Sequence, residues 1–547
     1  MYSTVRSRWL GPVALIAGTG IAAVVGSVAP SAAATTTTTQ LPVFAVQRSG
    51  LDPQQASALG QAFGLGTVQP SPDGTVRFVD RARFQYIPTI DGGAGRADED
   101  GPTTLTRLDY PALARLTVLA PEVATSRTQT KLQAVGLSPT QLNPGGATAT
   151  SDHTTLETVD TKGSPISSTR LDTATWYSFT LAGLPYEGPG AKIRVTYAGD
   201  GRVTQLAYAT RILSPAGTVA VADRVTGVHR CARWLPPGAQ VTADYVYEAP
   251  PLTTVLQMLT PSFRCSGTNV DGAALQITYV PAALDAVLPP KQSPPTQPRP
   301  DSNPAQLTAA PTTAAIASGD IDVGSEGTGE CSGLPHTDEN LDSFNDEFDD
   351  HGVPVRFSWL DSLAWETDFK DPSLGGADTT WTDDVDLAYW QGHGSATGFY
   401  FTDCSNHNDN KLAHTDARWG NGDADWMSLF TCLVLDGVAG NSPWWERWGP
   451  AFRRLHQINS YDTVANHSAV HGGIYADYLL DDAHRVRIAW ALASIDTQPS
   501  DKKWASMGPG AAGGYVNIDD HFHGRGSVSP DVYPNDITNY WYLRGSS

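Results

Sequence analysis

The chain has 547 residues with 36 basic and 57 acidic side chains, so its formal net charge is −21. This charge argues against a nucleic-acid-binding protein, which needs a basic face to neutralise phosphates. Hydrophobic residues make up 40% of the chain and include 15 tryptophans. That content is sufficient for packed cores and speaks against global disorder.

The acidic charge is unevenly distributed along the chain. Residues 331–547 hold 32 acidic and 13 basic side chains, a net charge of −19, whereas residues 1–330 carry only −2. The second part also holds 12 of the 15 tryptophans and 11 of the 13 histidines. This shift in composition predicts two units with different roles.

Residues 1–34 have the pattern of a secretory signal peptide. Arg6 and Arg8 precede an apolar run at 10–28, and small residues up to Ala34 offer a cleavage site. A retained membrane anchor is the alternative, although the Gly and Ala content makes this run only weakly hydrophobic. We therefore expect a secreted, extracellular protein that is not attached to a membrane after cleavage, and whose paired cysteines form disulfides.

The first predicted unit, at 41–288, has the pattern of an α+β domain. Residues 43–46 predict a strand, and Asp52 followed by Pro53 predicts the start of a helix that Gly64 can end. Residues 192–209 alternate around a Gly-Asp-Gly turn and predict a β-hairpin. The stretch around this hairpin resembles the propeptide and inhibitor modules that precede secreted bacterial peptidases, which implies a similar role; an ordinary accessory or binding domain is the alternative.

Residues 289–329 predict a linker. Its first thirty residues are rich in Pro, Thr, Ser and Ala and have no hydrophobic period. Prolines fix φ and remove backbone donors, so this segment is expected to be an extended tether that proteases can reach.

The second predicted unit, at 330–547, carries the candidate site. Two short apolar runs, at 386–390 and 426–430, lack a helical period and predict buried strands. His393, between two glycines, follows the first run, and Cys432 follows the second. Their separation of 432 − 393 = 39 residues leaves room for a crossover between neighbouring parallel strands, whose carboxyl ends are where ligands bind in open α/β sheets.

This pair of residue types suits nucleophilic catalysis. A Cys thiolate is a strong nucleophile, and a nearby imidazole lowers the thiol pKa and later protonates a leaving amine. The odd cysteine count fits this interpretation: if Cys231 pairs with Cys265 and Cys331 with Cys404, Cys432 remains a thiol. A disulfide between Cys404 and Cys432 is the alternative that would remove the nucleophile.

These residues resemble the caspase-like cysteine peptidases, a group that includes caspases, legumains, clostripain and gingipains, in which a His-Gly pair follows one strand and a Cys follows the next. The resemblance implies a C-terminal caspase-like α/β sandwich with a mainly parallel sheet. His393 would be the catalytic histidine and Cys432 the nucleophile, and the backbone amides of Gly394 and Cys432 would bind the oxyanion. It further implies a peptide or protein substrate and no required cofactor.

A second resemblance is to a little-characterised bacterial family of secreted domains with the same arrangement, carried by the segments QGHGSATGFYF, WGNGDADW and RWGPAFRRLHQINSYDT. Thr431 and Leu433, on either side of Cys432, depart from the usual peptidase pattern. An inactive relative that acts as a secreted binding or cell-surface protein is therefore the alternative function.

Metal sites have weaker support in the sequence. Asp403 and Asp409 lie in an oxygen-rich segment that would suit Ca²⁺, and an acidic run at 338–350 would do so too, although such a run is usually a solvated face. His467 and His471 are four residues apart, as zinc ligands on one helix face would be. Because glycines follow at once, polar loop histidines are the favoured interpretation.

Overall fold

The chain folds as a mixed α/β protein with more strand than helix. The computed structural model describes residues 39–97, 100–142, 144–236, 238–270, 272, 274–288, 321–401, 410–437, 439 and 442–547. The predicted signal peptide and residues 289–320 of the predicted linker lie outside these ranges. No helix within the described ranges is long and apolar enough to cross a membrane.

The helices and strands follow one another along the whole described chain. The α-helices are Pro53–Phe63 (α1), Tyr110–Leu113 (α2), Pro121–Ala134 (α3), Pro139–Leu142 (α4), Arg224–Ala232 (α5), Thr337–Asp350 (α6), Trp444–Trp448 (α7), His471–Leu480 (α8) and Val486–Thr497 (α9). The strands that precede the predicted linker are Gln40–Ser49 (β1), Val76–Val79 (β2), Thr89–Ala94 (β3), Thr104–Leu108 (β4), Gly146–Asp160 (β5), Pro165–Leu181 (β6), Leu184–Glu187 (β7), Lys192–Tyr197 (β8), Val203–Ala209 (β9), Arg211–Ala220 (β10), Gln240–Glu248 (β11), Met258–Leu259 (β12), Ser262–Thr268 (β13) and Thr278–Pro281 (β14). The later strands are Val323–Gly327 (β15), Val355–Leu360 (β16), Leu387–Gln391 (β17), His393–Ser395 (β18), Gly398–Tyr400 (β19), Lys411–Ala413 (β20), Trp426–Phe430 (β21), Gln457–Tyr461 (β22), Lys503–Ala511 (β23), Tyr515–Val516 (β24) and Ile537–Ser546 (β25).

Local sequence signals account for the early elements. The Asp52 side chain accepts a hydrogen bond from the Gln55 N–H and caps α1, and Gly64 ends the helix at φ 76°. A left-handed φ carries little cost for glycine, so the predicted start and stop of this helix are both confirmed. The predicted hairpin at 192–209 is confirmed as the antiparallel pair β8 and β9.

A parallel sheet forms the centre of the second part of the chain. Its strand order is β16, β15, β17, β21, β22, all parallel, and it continues with β23 and β25, which are antiparallel. The predicted linker, 289–329, is wrong at its end, because residues 323–327 form β15, a buried strand that lies between β16 and β17. Its sequence, VGSEG, is short and has no apolar run, which is why the pattern did not predict a strand.

Both faces of the parallel sheet are covered. On β17, Leu387 and Tyr389 pack into a core with α6, α8 and α9, whereas Ala388 and Trp390 pack into a second core that includes Trp444 and Trp448 of α7. Strands buried on both faces appear as continuous apolar runs, and the two runs predicted as strands are β17 and β21.

The same sheet extends into the part of the chain that precedes the linker. β25 pairs antiparallel with β5 through six registered residue pairs, and β5 in turn pairs with β6, which leads to β8, β9 and β2. The described residues between 39 and 547 accordingly form one compact unit. Strands of both predicted units therefore share one hydrogen-bonded sheet.

Candidate functional site

The two predicted catalytic residues follow neighbouring parallel strands. Gln391 at the end of β17 is registered with Phe430 at the end of β21, an offset of 430 − 391 = 39 residues. His393 lies two residues after the end of β17 and Cys432 two residues after the end of β21, so they too are 39 residues apart. The fold therefore brings the backbone segments that carry them to one edge of the sheet.

The segments after these two strands are in direct contact. A Cβ added to Gly394 would lie 2.2 Å from Thr431 Oγ1 and 2.8 Å from the carbonyl oxygen of Cys432. Both distances are far too short for real atoms, so only glycine fits here. The predicted oxyanion residue Gly394 therefore lies against the backbone of the predicted nucleophile.

The imidazole of His393 has partners at both of its nitrogens. The ring is buried, with 1% exposure. Its Nδ1 accepts a hydrogen bond from the Gln276 N–H at 3.1 Å, and its Nε2–H donates to the Ser332 carbonyl at 2.9 Å. Burial lowers the pKa of His393 to about 4. In this state the histidine is neutral, and both nitrogens are engaged by groups other than the Cys432 thiol.

The Cys432 thiol is buried in the core formed by α6, α8 and α9. Its S–H points to the Ala465 carbonyl, with Sγ 3.9 Å from that oxygen. Burial raises the pKa of the Cys432 thiol to about 12, so the group is protonated at neutral pH. The next residue, Leu433, has φ 63°, which turns the chain sharply after the cysteine. As folded, the thiol is protected from both solvent and ionisation.

A segment of the first part of the chain crosses this edge of the sheet. It comprises residues 274–281, and we call it the strap. The Gln276 side-chain amide donates to the carbonyl oxygens of Gly392, at 3.1 Å, and Phe430, at 2.8 Å, while its backbone N–H holds His393. One strap residue therefore contacts the ends of both strands that lead to the predicted pair.

The strap also pairs with the chain beyond β22. The Ile277 N–H donates to the Ala465 carbonyl at 3.1 Å, and the His467 N–H donates to the Ile277 carbonyl at 2.9 Å. The Ala465 carbonyl is the same group that the Cys432 thiol contacts. Movement of the strap would therefore free an immediate neighbour of the thiol.

The structure confirms one predicted disulfide and excludes the alternative disulfide between Cys404 and Cys432, because Cys432 is a free thiol. Cys231 and Cys265 form the predicted disulfide, Cys331 is also disulfide-bonded, and Cys432 is free. Three residues named in the sequence analysis lie outside the described ranges. They are Cys404, the predicted disulfide partner of Cys331, and the predicted calcium ligands Asp403 and Asp409.

The two histidines considered as zinc ligands make separate contacts, and His471 is buried whereas His467 is half-buried. His467 lies in the loop before α8 and hydrogen-bonds to the Gln391 side chain and the Pro335 carbonyl. His471 is the first residue of α8 and hydrogen-bonds to the Tyr389 hydroxyl at 3.1 Å. Burial lowers the pKa of both histidines to about 3. The favoured interpretation of polar loop histidines therefore fits His467, which lies in a loop, and is wrong for His471, which begins a helix and packs in the core.

The opposite edge of the sheet holds a group of polar residues that the sequence analysis missed. Three of them directly precede parallel strands: Asp386 before β17, Asp425 before β21 and His456 before β22. We call the full set the amino-edge cluster; its members are Asp100, Asp386, Asp425, His456, Asp520, His523 and Asp531. An acidic or histidine residue directly before each apolar strand was the signal that could have revealed it.

The second part of the chain matches a known but functionally unassigned family. Residues 325–545 are similar to a domain of unknown function (DUF6345). This range begins in β15 and ends in β25, so it includes the predicted pair and most of the amino-edge cluster. No curated protein matches the chain.

Proposed function

We propose that the protein is a secreted cysteine peptidase of the caspase-like type that is made in a latent form. Cys432 is the nucleophile, His393 is the general acid and base, and the strap blocks the pair. The observation that carries the proposal is the position of Gln276, which holds His393 and the ends of both β17 and β21. A segment that inhibits a peptidase in cis has to occupy this edge of the sheet.

The chemistry follows from the two side chains. When the strap leaves, His393 Nδ1 loses its donor and the imidazole can accept the thiol proton of Cys432. The thiolate sulfur attacks the peptide carbonyl carbon, and the oxyanion is stabilised by backbone N–H groups near Gly394 and Cys432. The imidazolium then protonates the leaving amine as the C–N bond breaks, and water hydrolyses the resulting thioester.

The latent state has a physical basis in burial. A thiol with a pKa of about 12 and an imidazole with a pKa of about 4 remain in the neutral –SH and imidazole forms at neutral pH. Solvent access brings both pKa values back towards their ordinary ranges, near 8.5 and 6.5, where an ion pair between them is accessible. Cleavage within residues 289–320, which follow the strap by a few residues, would release its downstream end.

A second function, a secreted binding protein without catalytic activity, is favoured by the surroundings of Cys432. The Cys432 side chain packs in the apolar core, where a buried cysteine usually serves as a small hydrophobic residue. The departures at Thr431 and Leu433 point in the same direction.

The decisive experiment treats the purified mature protein with a protease that cuts within residues 289–320. Hydrolysis of a fluorogenic peptide mixture and labelling by a biotinylated thiol probe are then measured, with Cys432→Ala as the matched variant. The peptidase proposal expects cleavage to switch on both signals in the wild type and neither in the variant. Cleaved wild-type protein that is labelled but hydrolyses no peptide, or a variant that retains full hydrolysis, would overturn it.

A further inference from the structure

We infer that the amino-edge cluster binds a divalent transition-metal ion of the zinc type. The ligands are His456 Nε2, Asp425 Oδ1 and Asp531 Oδ1. This site lies at the start of the parallel strands, at the opposite end from Cys432, and it does not depend on the proposed peptidase activity.

The distances between the three ligand atoms fit one shared ion. His456 Nε2 lies 3.4 Å from Asp425 Oδ1 and 3.5 Å from Asp531 Oδ1, and all three atoms lie within 4.8 Å of one another. Around a tetrahedral zinc ion with bonds of about 2.0–2.2 Å, ligand atoms lie roughly 3.3–3.6 Å apart. The two separations measured from His456 Nε2 fall within this range, as expected if the carboxylate oxygens share an ion with it.

The orientation of His456 supplies an independent observation. Its side chain is fully buried, and its Nδ1–H donates to Asp520 Oδ2 at 2.7 Å. Among the residues that the structure describes, its Nε2 has no partner with hydrogen-bond geometry, although two carboxylates lie within ion-pair distance of it. A buried polar atom without a hydrogen bond costs about 1–3 kcal/mol, and a bound cation removes that cost. The Asp520–His456 contact also has the form of the carboxylate–histidine–metal arrangement that orients metal ligands in proteins.

The carboxylate ligands are held in a similar way. The other oxygen of Asp425 lies 2.8 Å from His523 Nε2, and the other oxygen of Asp531 lies 3.3 Å from an Arg454 nitrogen. The two carboxylates together balance the charge of a divalent ion. Imidazole nitrogen with carboxylate oxygen is a donor set that suits zinc and its neighbours better than calcium or magnesium.

The ion has a route from solvent and an open coordination position. The Asp531 side chain is 21% exposed, and Asp425 and Asp531 both line a small surface pocket. Three protein ligands leave the fourth tetrahedral position for water. Because Asp531 lies in the loop between β24 and β25, the ion would tie this loop to the starts of β21 and β22.

The test titrates the purified full chain with ZnCl₂ after chelator treatment, following binding by calorimetry and folding by circular dichroism. The variant Asp531→Asn removes one ligand charge and keeps the side-chain shape, and Asp536→Asn is the matched control, because Asp536 is an exposed carboxylate of the same loop.

We expect one zinc ion per chain in the wild type and in the Asp536→Asn control. Affinity in Asp531→Asn should fall by at least the roughly 10–100-fold that loss of an outer-shell partner costs. A folded wild type that binds no zinc, or equal affinity in the wild type and Asp531→Asn, would overturn the inference. Neither readout involves peptide hydrolysis, so the outcome is separate from that of the proposed function.

Discussion

The substitution Gln276→Ala should loosen the strap without touching either predicted catalytic residue. The side chain donates two hydrogen bonds to the carbonyls of Gly392 and Phe430, both of which are buried residues. Each bond is worth about 1 kcal/mol, and its loss leaves a buried acceptor unsatisfied, so strap opening should become easier by about 2–3 kcal/mol. Since 1.4 kcal/mol is a factor of 10, the open population should rise roughly 30- to 150-fold.

The assay is the rate at which a chromogenic disulfide reagent modifies Cys432 in the intact protein. The thiol is fully buried and has a pKa of about 12, so the reaction requires opening and its rate reports the open population. Gln240→Ala is the matched control, because Gln240 is an exposed glutamine in the same part of the chain. The reasoning is refuted if Gln276→Ala reacts at the wild-type rate, or if the wild type already reacts as fast as an exposed thiol.

Two further predictions concern stability. His393 has a pKa of about 4 in the folded state, below the ordinary value of 6.5. Between pH 6.5 and 4 its imidazole is protonated in the unfolded chain but not in the folded one, so the free energy of unfolding falls as the pH is lowered through this window. The destabilisation caused by His393→Asn should therefore shrink by about 1.4 kcal/mol per pH unit below 6.5 in urea unfolding, and a destabilisation that stays constant over this window would contradict the reasoning. Gly333 and Gly352 share φ 74°, but a Cβ on Gly333 would lie 0.9 Å from the Trp234 carbonyl oxygen, whereas at Gly352 the space is open. In thermal unfolding Gly352→Ala should cost about 1–2 kcal/mol and Gly333→Ala clearly more, and equal costs would contradict the clash.

The parts of the fold that the sequence predicts are those with strong local signals. The cap and stop of α1 and the Gly-Asp-Gly hairpin are encoded by adjacent residues, and the apolar runs of β17 and β21 reflect burial on both faces. β15 has no such signal, because Gly and Ser make up most of the strand and its stability depends on β16 and β17 on either side. The pairing of β25 with β5 joins residues hundreds of positions apart, which no local pattern encodes.

The candidate site shows the same division. Adjacent parallel strands and their common offset could be predicted, because spacing and apolar runs determine them. The strap could not be predicted, because Gln276 lies in a segment without a catalytic motif and acts through hydrogen bonds to distant carbonyls. The amino-edge cluster was not predicted, because ligand sites in open α/β sheets are expected at the carboxyl ends of the strands. Asp425 and His456 lie at the opposite ends, directly before β21 and β22.

The long sheet also determines what a cut in the linker would produce. In the sequence, β5 precedes residues 289–320 and β25 follows them. The two strands are joined by six registered residue pairs, from Asn539↔Asp160 to Arg544↔Thr155, none of which involves the linker. A nicked molecule would therefore keep its two chains together as a non-covalent heterodimer. The two fragments should migrate as one species in gel filtration and separate only in denaturant. Under the proposed function, activation by linker cleavage would therefore change the conformation of a complex that keeps both fragments.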